Sequence, residues 1–185
     1  MLITHFKGIM GNEFDERSLT LHATPQKFAK GQVLVEAGKL ESNFHFLKQG
    51  IVGVTVPGKK EWIYDLFFPN SVIGAYSTLL TGKPSRIAIT AIEDCEVETY
   101  SWTELKKQYT TSLGANQLGR FISEQIFLLR SKREIDFLSK SAEQRYAELM
   151  QSQPELILKI PVHRIARYLG IHPESLSRIR KKMGK

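Results

Sequence analysis

Apolar and polar positions follow two different periods along this chain. Between Gln26 and about Trp102 the apolar residues come in short alternating runs separated by glycine and proline, the pattern of strands and turns. The runs fall at 28–38, 44–50, 51–56, 61–68, 86–91 and 96–102, with turns at 57–60, at 69–71 and at Glu93-Asp94. Val72-Ile73-Gly74 begins a short segment that continues over 75–81 as a helical turn. Short strands at regular spacing with glycine corners predict a closed antiparallel barrel or jelly roll. Ahead of them, 1–24 predicts a helix over 1–8 and another over 14–22, broken by Gly8 and Gly11.

After Glu104 the period becomes helical. A short piece at 105–109 precedes a proline-free run at 113–138. Leu118, Phe121, Gln125, Leu128 and Ile135 form one stripe on it, and Ile122, Ile126 and Leu129 form a second. Two apolar stripes imply two packing partners. Residues 139–142 read as a hinge, with Ser141 as N-cap of a helix over 142–152 that carries Tyr146, Leu149 and Met150. Gln153-Pro154 ends that helix, and 156–160 reads as a strand or extended linker. A helix over 162–169 then turns its Ile165, Ala166 and Leu169 inward. Gly170 stands where a helix end wants a residue free to take positive φ. A second helix opens at His172-Pro173-Glu174, with proline pre-set for the first helical position and an acid suited to the dipole. Leu176 and Ile179 face inward; Glu174, Ser175, Arg178, Lys181 and Lys182 face outward. This is the layout of a helix-turn-helix, whose second helix enters the major groove.

Charge sharpens that picture. The 185 residues carry a net charge of +7 from 26 basic and 19 acidic side chains. From 159 to 185 there are eight basic residues and one acid, so the remainder holds eighteen of each and is neutral. A neutral body with a basic end is the footprint of a nucleic-acid-binding module. Cys95 is the only cysteine, which leaves no disulfide and no thiolate cluster within the chain. Lying in a strand-like run, it reads as a small buried residue. No apolar run approaches membrane-spanning length and the first residues lack the pattern of a signal peptide, so a cytoplasmic protein with no membrane contact is expected. Of His5, His22, His45, His163 and His172, only His45 falls among the strands, too few for a metal site of the cupin kind. There is no nucleophile elbow and no phosphate loop. The sequence predicts no enzyme, no catalytic residue, no metal and no resident cofactor.

Ile165, Ala166, Leu169, Gly170, Glu174, Ser175, Leu176 and Arg178 resemble the helix-turn-helix of the bacterial Crp/Fnr transcription regulators. Three further patterns resemble the cyclic-nucleotide-binding β-roll of that family: Phe28-x-x-Gly31-x-x-Leu34-x-x-x-Gly38, then Leu47-x-x-Gly50, then Gly74 followed by Gly82-x-Pro84-Ser85-Arg86. The resemblance covers nearly the whole chain. It implies an α+β protein: an N-terminal β-roll sensor with a long dimerisation helix over 1–138, and a helical DNA-binding domain over 139–185. By resemblance, Glu174 reads a cytosine amino group and Arg178 a guanine, with Ser175 and His172 as helpers. Arg164, Arg180, Lys181 and Lys182 meet phosphates. The stripe of Leu118, Phe121, Gln125, Leu128 and Ile135 packs on a second subunit as a parallel coiled-coil-like dimer. The partners implied are double-stranded DNA, a second copy of the chain, RNA polymerase and a small-molecule effector.

The sequence departs from the family in three places. Pro173 stands where relatives carry a polar or basic reader. The chain stops at Lys185, where most relatives have a β-hairpin wing, so Leu176 and Ile179 are expected to find cover from the other helices alone. In the effector pocket, assigned to Gly74, Ala75, Tyr76, Ser85, Arg86, Leu128 and Leu129, Ala75 replaces the ribose-binding Glu and Ser85 falls under the phosphate-binding Arg. One residue along a strand reverses the face, so Arg86 is expected to point away. Cyclic AMP is therefore not the expected effector. The rival reading is a ligand-binding or scaffolding module that does not read DNA specifically.

Overall fold

The structure is a computed structural model that describes residues 2–58 and 62–184. Lys59, Lys60 and Glu61, in and beside the turn expected at 57–60, lie outside the described residues, as does Lys185. Among the described residues, eight strands form two antiparallel sheets. One holds β1 (Thr24–Phe28), β8 (Cys95–Ser101), β3 (Asn43–Gln49) and β6 (Ser71–Ile73) in that order. The other holds β2 (Val33–Val35), β7 (Ala88–Ala91), β4 (Val52–Val56) and β5 (Trp62–Phe67). Of the expected closed barrel or jelly roll, the second is found: two four-stranded sheets that do not close into a barrel. Alternation decides what lies between them: Leu47, Val52, Val54, Ile89, Cys95 and Val97 meet in one buried cluster. On β3 the intervening positions, Phe44 and Phe46, are buried as well, because helices cover that side.

The covering helices are α1 (Leu2–Met10), α2 (Tyr76–Thr81), α3 (Trp102–Lys107) and the first half of α4 (Leu113–Ser139). Gly8 does not break α1; the break comes at Gly11, whose φ is +63°. The helix expected over 14–22 is reduced to a 3-10 turn at Glu16–Ser18, and the flanking Phe14 and Leu19 are both buried. Ser112 caps α4, its side chain accepting from the Ala115 N–H. Gly114 lets α4 approach the Asp15 carbonyl, a contact that a Cβ would block.

The C-terminal helices are α5 (Ala142–Ser152), α6 (Pro154–Lys159), α7 (Val162–Tyr168) and α8 (Pro173–Lys182). Ser141 caps α5 with a full capping box to Gln144. The segment expected to be extended is helical: Pro154 opens α6, a place where its missing N–H costs nothing. Leu176 and Ile179 are covered by more than helices. Their cluster joins Tyr146, Ile160, Ile165 and Leu169 to Ile51, Ile63, Leu66 and Ile92 of the strand region. The helix-turn-helix therefore sits against the sheet that contains β5.

Candidate DNA-reading helix and effector cavity

The turn between α7 and α8 is built on its glycine. Gly170 takes φ +71°; its N–H donates to Arg167 O at 3.2 Å, and the Ile171 N–H donates to Ala166 O at 3.0 Å. These two bonds close the helix end in the Schellman manner. His172 precedes α8 in extended conformation and Pro173 takes the first turn. The period then divides α8: Leu176 is buried and Ile179 half-buried, while Glu174 and Arg178, one turn apart, are exposed together. His172 and Lys181 are exposed; Ser175, Arg164 and Arg180 are half-buried. Lys182 is exposed but pairs with Glu143 of α5 at 3.1 Å.

The proposed dimer stripe splits in two. Leu118 is 0% exposed inside the protomer, so its assignment to a subunit interface is corrected. Phe121 is half-buried edge-to-face on Phe6, with ring centroids 4.7 Å apart. Gln125, Leu128 and Ile135 lie further along α4 and are exposed, the last two at 58% and 57%.

A cavity of about 520 Å³ opens between the strands, α2 and α4. Gly74, Tyr76 and Arg86 line it, which corrects the expectation that Arg86 points away. Phe44, Phe67, Leu79 and Trp102 add apolar wall, and α4 contributes Ile122, Ile126 and Arg130. Four expected lining residues are elsewhere. Ala75 is buried in the sheet core. The Ser85 hydroxyl is spent on its own turn, donating to Ile87 O at 2.7 Å. Leu128 lies away from the cavity, and Leu129 faces other grooves. The α4 positions that reach the cavity, Ile122, Ile126 and Arg130, recur every four residues on a face that leaves out Leu128 and Leu129.

Sequence reasoning missed a set of arginines where α4, α5, β5 and the helix-turn-helix meet. Arg130 donates to Asp65 at 2.8 Å and its guanidinium lies 4.1 Å from the Tyr64 ring centroid. The Asp65 side chain is only 4% exposed. Burial pushes its carboxyl up from the usual range, and the Arg130 charge opposes that. Arg133 stacks between Phe137 and Tyr168 and donates to Tyr168 O at 2.9 Å. Arg145 donates to Leu169 O at 3.0 Å and to Lys140 O at 2.5 Å. Cations thus cover carbonyls left open at the end of α7. Arg133 and Arg145, together with Asp65, Tyr168 and Leu169, line a groove of about 480 Å³ between the two regions. An acid inside the apolar run Trp62-Ile63-Tyr64-Asp65-Leu66 was the available signal. No group of three or more histidine, cysteine or carboxylate side chains able to hold a metal occurs among the described residues. No helix is long and apolar enough to cross a membrane, again among the described residues.

Residues 25–112 match the family described as Cyclic nucleotide-binding domain. No curated protein sequence matches the chain. Among solved structures, FixK2 from Bradyrhizobium japonicum is similar with TM-score 0.77 and 18% identity, over 89% of this chain and 85% of that one. CLP of Xanthomonas campestris, described as a c-di-GMP responsive global regulator, has TM-score 0.70 and 14% identity over 99% of this chain and 90% of its own. A transcriptional regulator of the crp/fnr family from Eubacterium rectale has TM-score 0.71 and 16% identity, over 88% and 79%. The chain has the fold of the Crp/Fnr regulators, and the segment that matches the cyclic-nucleotide-binding family model spans its strands.

Proposed function

We propose that this chain is a transcription regulator of Crp/Fnr type, acting in the cytoplasm as a homodimer on a pseudo-palindromic operator. The observation that carries this is α8: one face is buried in its own domain, and the other presents Glu174 and Arg178 to solvent in a basic setting. Glu174 and Arg178 specify bases, helped by Ser175 and His172, and Arg164, Arg180, Lys181 and Lys182 meet phosphates. The exposed part of α4 at Leu128 and Ile135 supports pairing of two such helices, which sets the two copies of α8 about one DNA turn, roughly 34 Å, apart. The β-roll cavity is read as the seat of a small-molecule effector. Ala75 offers nothing to a ribose hydroxyl and Ser85 nothing to a cyclic phosphate, so an anionic effector there meets Arg86 or Arg130 in a pose other than the usual one of cyclic AMP.

Selection of bound sequences from a random duplex library at near-physiological salt tests the reading. An inverted repeat is expected. Uniform, steeply salt-dependent retention of all sequences would instead mark a module that does not read DNA. In the same assay Arg178→Ala is expected to relax one base pair in each half-site and weaken binding by about 1–3 kcal/mol. Equal loss on every sequence would deny Arg178 that role.

A further inference from the structure

The β-roll cavity has apolar walls and unmatched donors. Among its described lining residues there is no carboxylate, yet there are two guanidinium groups, Arg86 and Arg130. Arg86 has no ion pair with a described residue. Trp102, also on the wall, carries an indole N–H that is buried with no partner. A buried donor without an acceptor is costly, and a bound acceptor is one remedy.

Arg130 belongs to two sites at once. It lines the cavity, and it holds Asp65, which lines the groove beside Tyr168 and Leu169. Neighbouring residues of a regular strand face opposite ways. Here β5 carries a bulge: Val54 pairs with Asp65 and Thr55 with Ile63, which leaves Tyr64 unpaired between them. Tyr64 and Asp65 can thus both engage one guanidinium. If Arg130 turns away, Asp65 loses its only side-chain hydrogen-bond donor among the described residues and keeps the Leu66 N–H and the more distant Arg133 charge, a poorly compensated buried carboxylate where β5 meets α7.

Taking the β-roll as an effector domain, we propose that its cavity binds an organic anion with an apolar body, whose carboxylate draws Arg130 away from Asp65 and so loosens the helix-turn-helix from the sheet. The volume suits a ligand of modest size. A carboxylate meets a guanidinium through two parallel hydrogen bonds, as strong a partner as Asp65 itself. The ligand shifts the docking equilibrium because it prefers the state in which Arg130 is free, and Asp65 in turn competes with the ligand.

The test uses the full chain with decanoate and, as its neutral counterpart, decanamide. Calorimetry reads affinity, and amide hydrogen exchange reads β5 and α7. Decanoate is expected to bind at least about tenfold more tightly than decanamide and to speed exchange in α7. Asp65→Asn removes the competitor and is expected to tighten decanoate binding roughly tenfold. Arg130→Gln is expected to abolish the preference for the anion and to show fast α7 exchange without ligand. If that variant does not fold, Asp65→Asn still decides. Equal affinity for the two ligands, unchanged affinity in Asp65→Asn, or slow α7 exchange with decanoate bound would each overturn the proposal. DNA affinity measured on the same samples separates the two readings. A response to small molecules extracted from cells, with no binding of decanoate, leaves the effector reading standing and removes this one. No response to either removes both.

Discussion

At the scale of single residues, the buried polar groups determine where stability responds to solution conditions. His45 is buried on β3; its Nδ1 lies 2.9 Å from Thr99 Oγ1, and its Nε2 has no partner. Burial lowers its pKa from the ordinary 6.5, with Glu41 opposing. The unfolded chain then binds more protons than the folded one just below pH 6.5, so stability falls as pH drops through that value toward the folded pKa. His45→Gln is expected to flatten this fall. Urea unfolding of both proteins over a pH series checks it, and parallel curves would deny His45 the effect. Asp65 has the opposite sign: burial raises its pKa above the ordinary 3.8, so its ionisation weakens the fold as pH rises through that range. Its cost is contained by Arg130, which is why the pair matters more than either group.

At the scale of elements, the helix-turn-helix depends on how α7 ends. Gly170 has two reasons to be glycine. Its φ of +71° strains any L side chain, and a Cβ there would stand 2.9 Å from Phe137 Cε1. Phe137 is the ring on which Arg133 and Arg145 stack, so its shift would disturb both contacts. Gly170→Ala is therefore expected to destabilise the C-terminal region by about 1–2 kcal/mol. Denaturant unfolding with hydrogen exchange at α7 measures this, and a midpoint equal to wild type would contradict it. The turn was legible in the sequence, because Gly170, Pro173 and the spacing of Ile165, Leu169 and Leu176 are local signals. The ring beneath the glycine was not, since Phe137 is distant in sequence.

At the scale of the whole molecule, α4 divides its labour along its length. Its first half completes the protomer core through Leu118 and Ile122. Its second half leaves Phe127, Leu128, Ile135 and Leu138 exposed while Arg130 holds β5 through Asp65 and Arg133 holds the end of α7 through the Tyr168 carbonyl. If the exposed half pairs two subunits, Leu128→Glu with Ile135→Glu is expected to give a monomer by light scattering, with the protomer's unfolding little changed. Leu118→Ala is expected to do the reverse, lowering stability by about 2–5 kcal/mol without changing the mass. A double variant that keeps the wild-type mass would remove this face from the interface.

The sequence by itself determined the passage from a strand region to a helical one, the antiparallel character of the strands, the cap at Ser141 and the inward and outward faces of α8. Each is written in a period of two or 3.6 residues, or in a cap within a few positions, so each can be read locally. Only the tertiary structure decided that the sheets stay open, that Arg86 meets the cavity, that Leu118 is spent inside the protomer, and that Tyr64 and Asp65 share Arg130. Those outcomes depend on which distant segments are brought together, on a bulge that resets the face of one strand, and on the cost of burying a charge unless a partner arrives. No window of neighbouring residues contains that information.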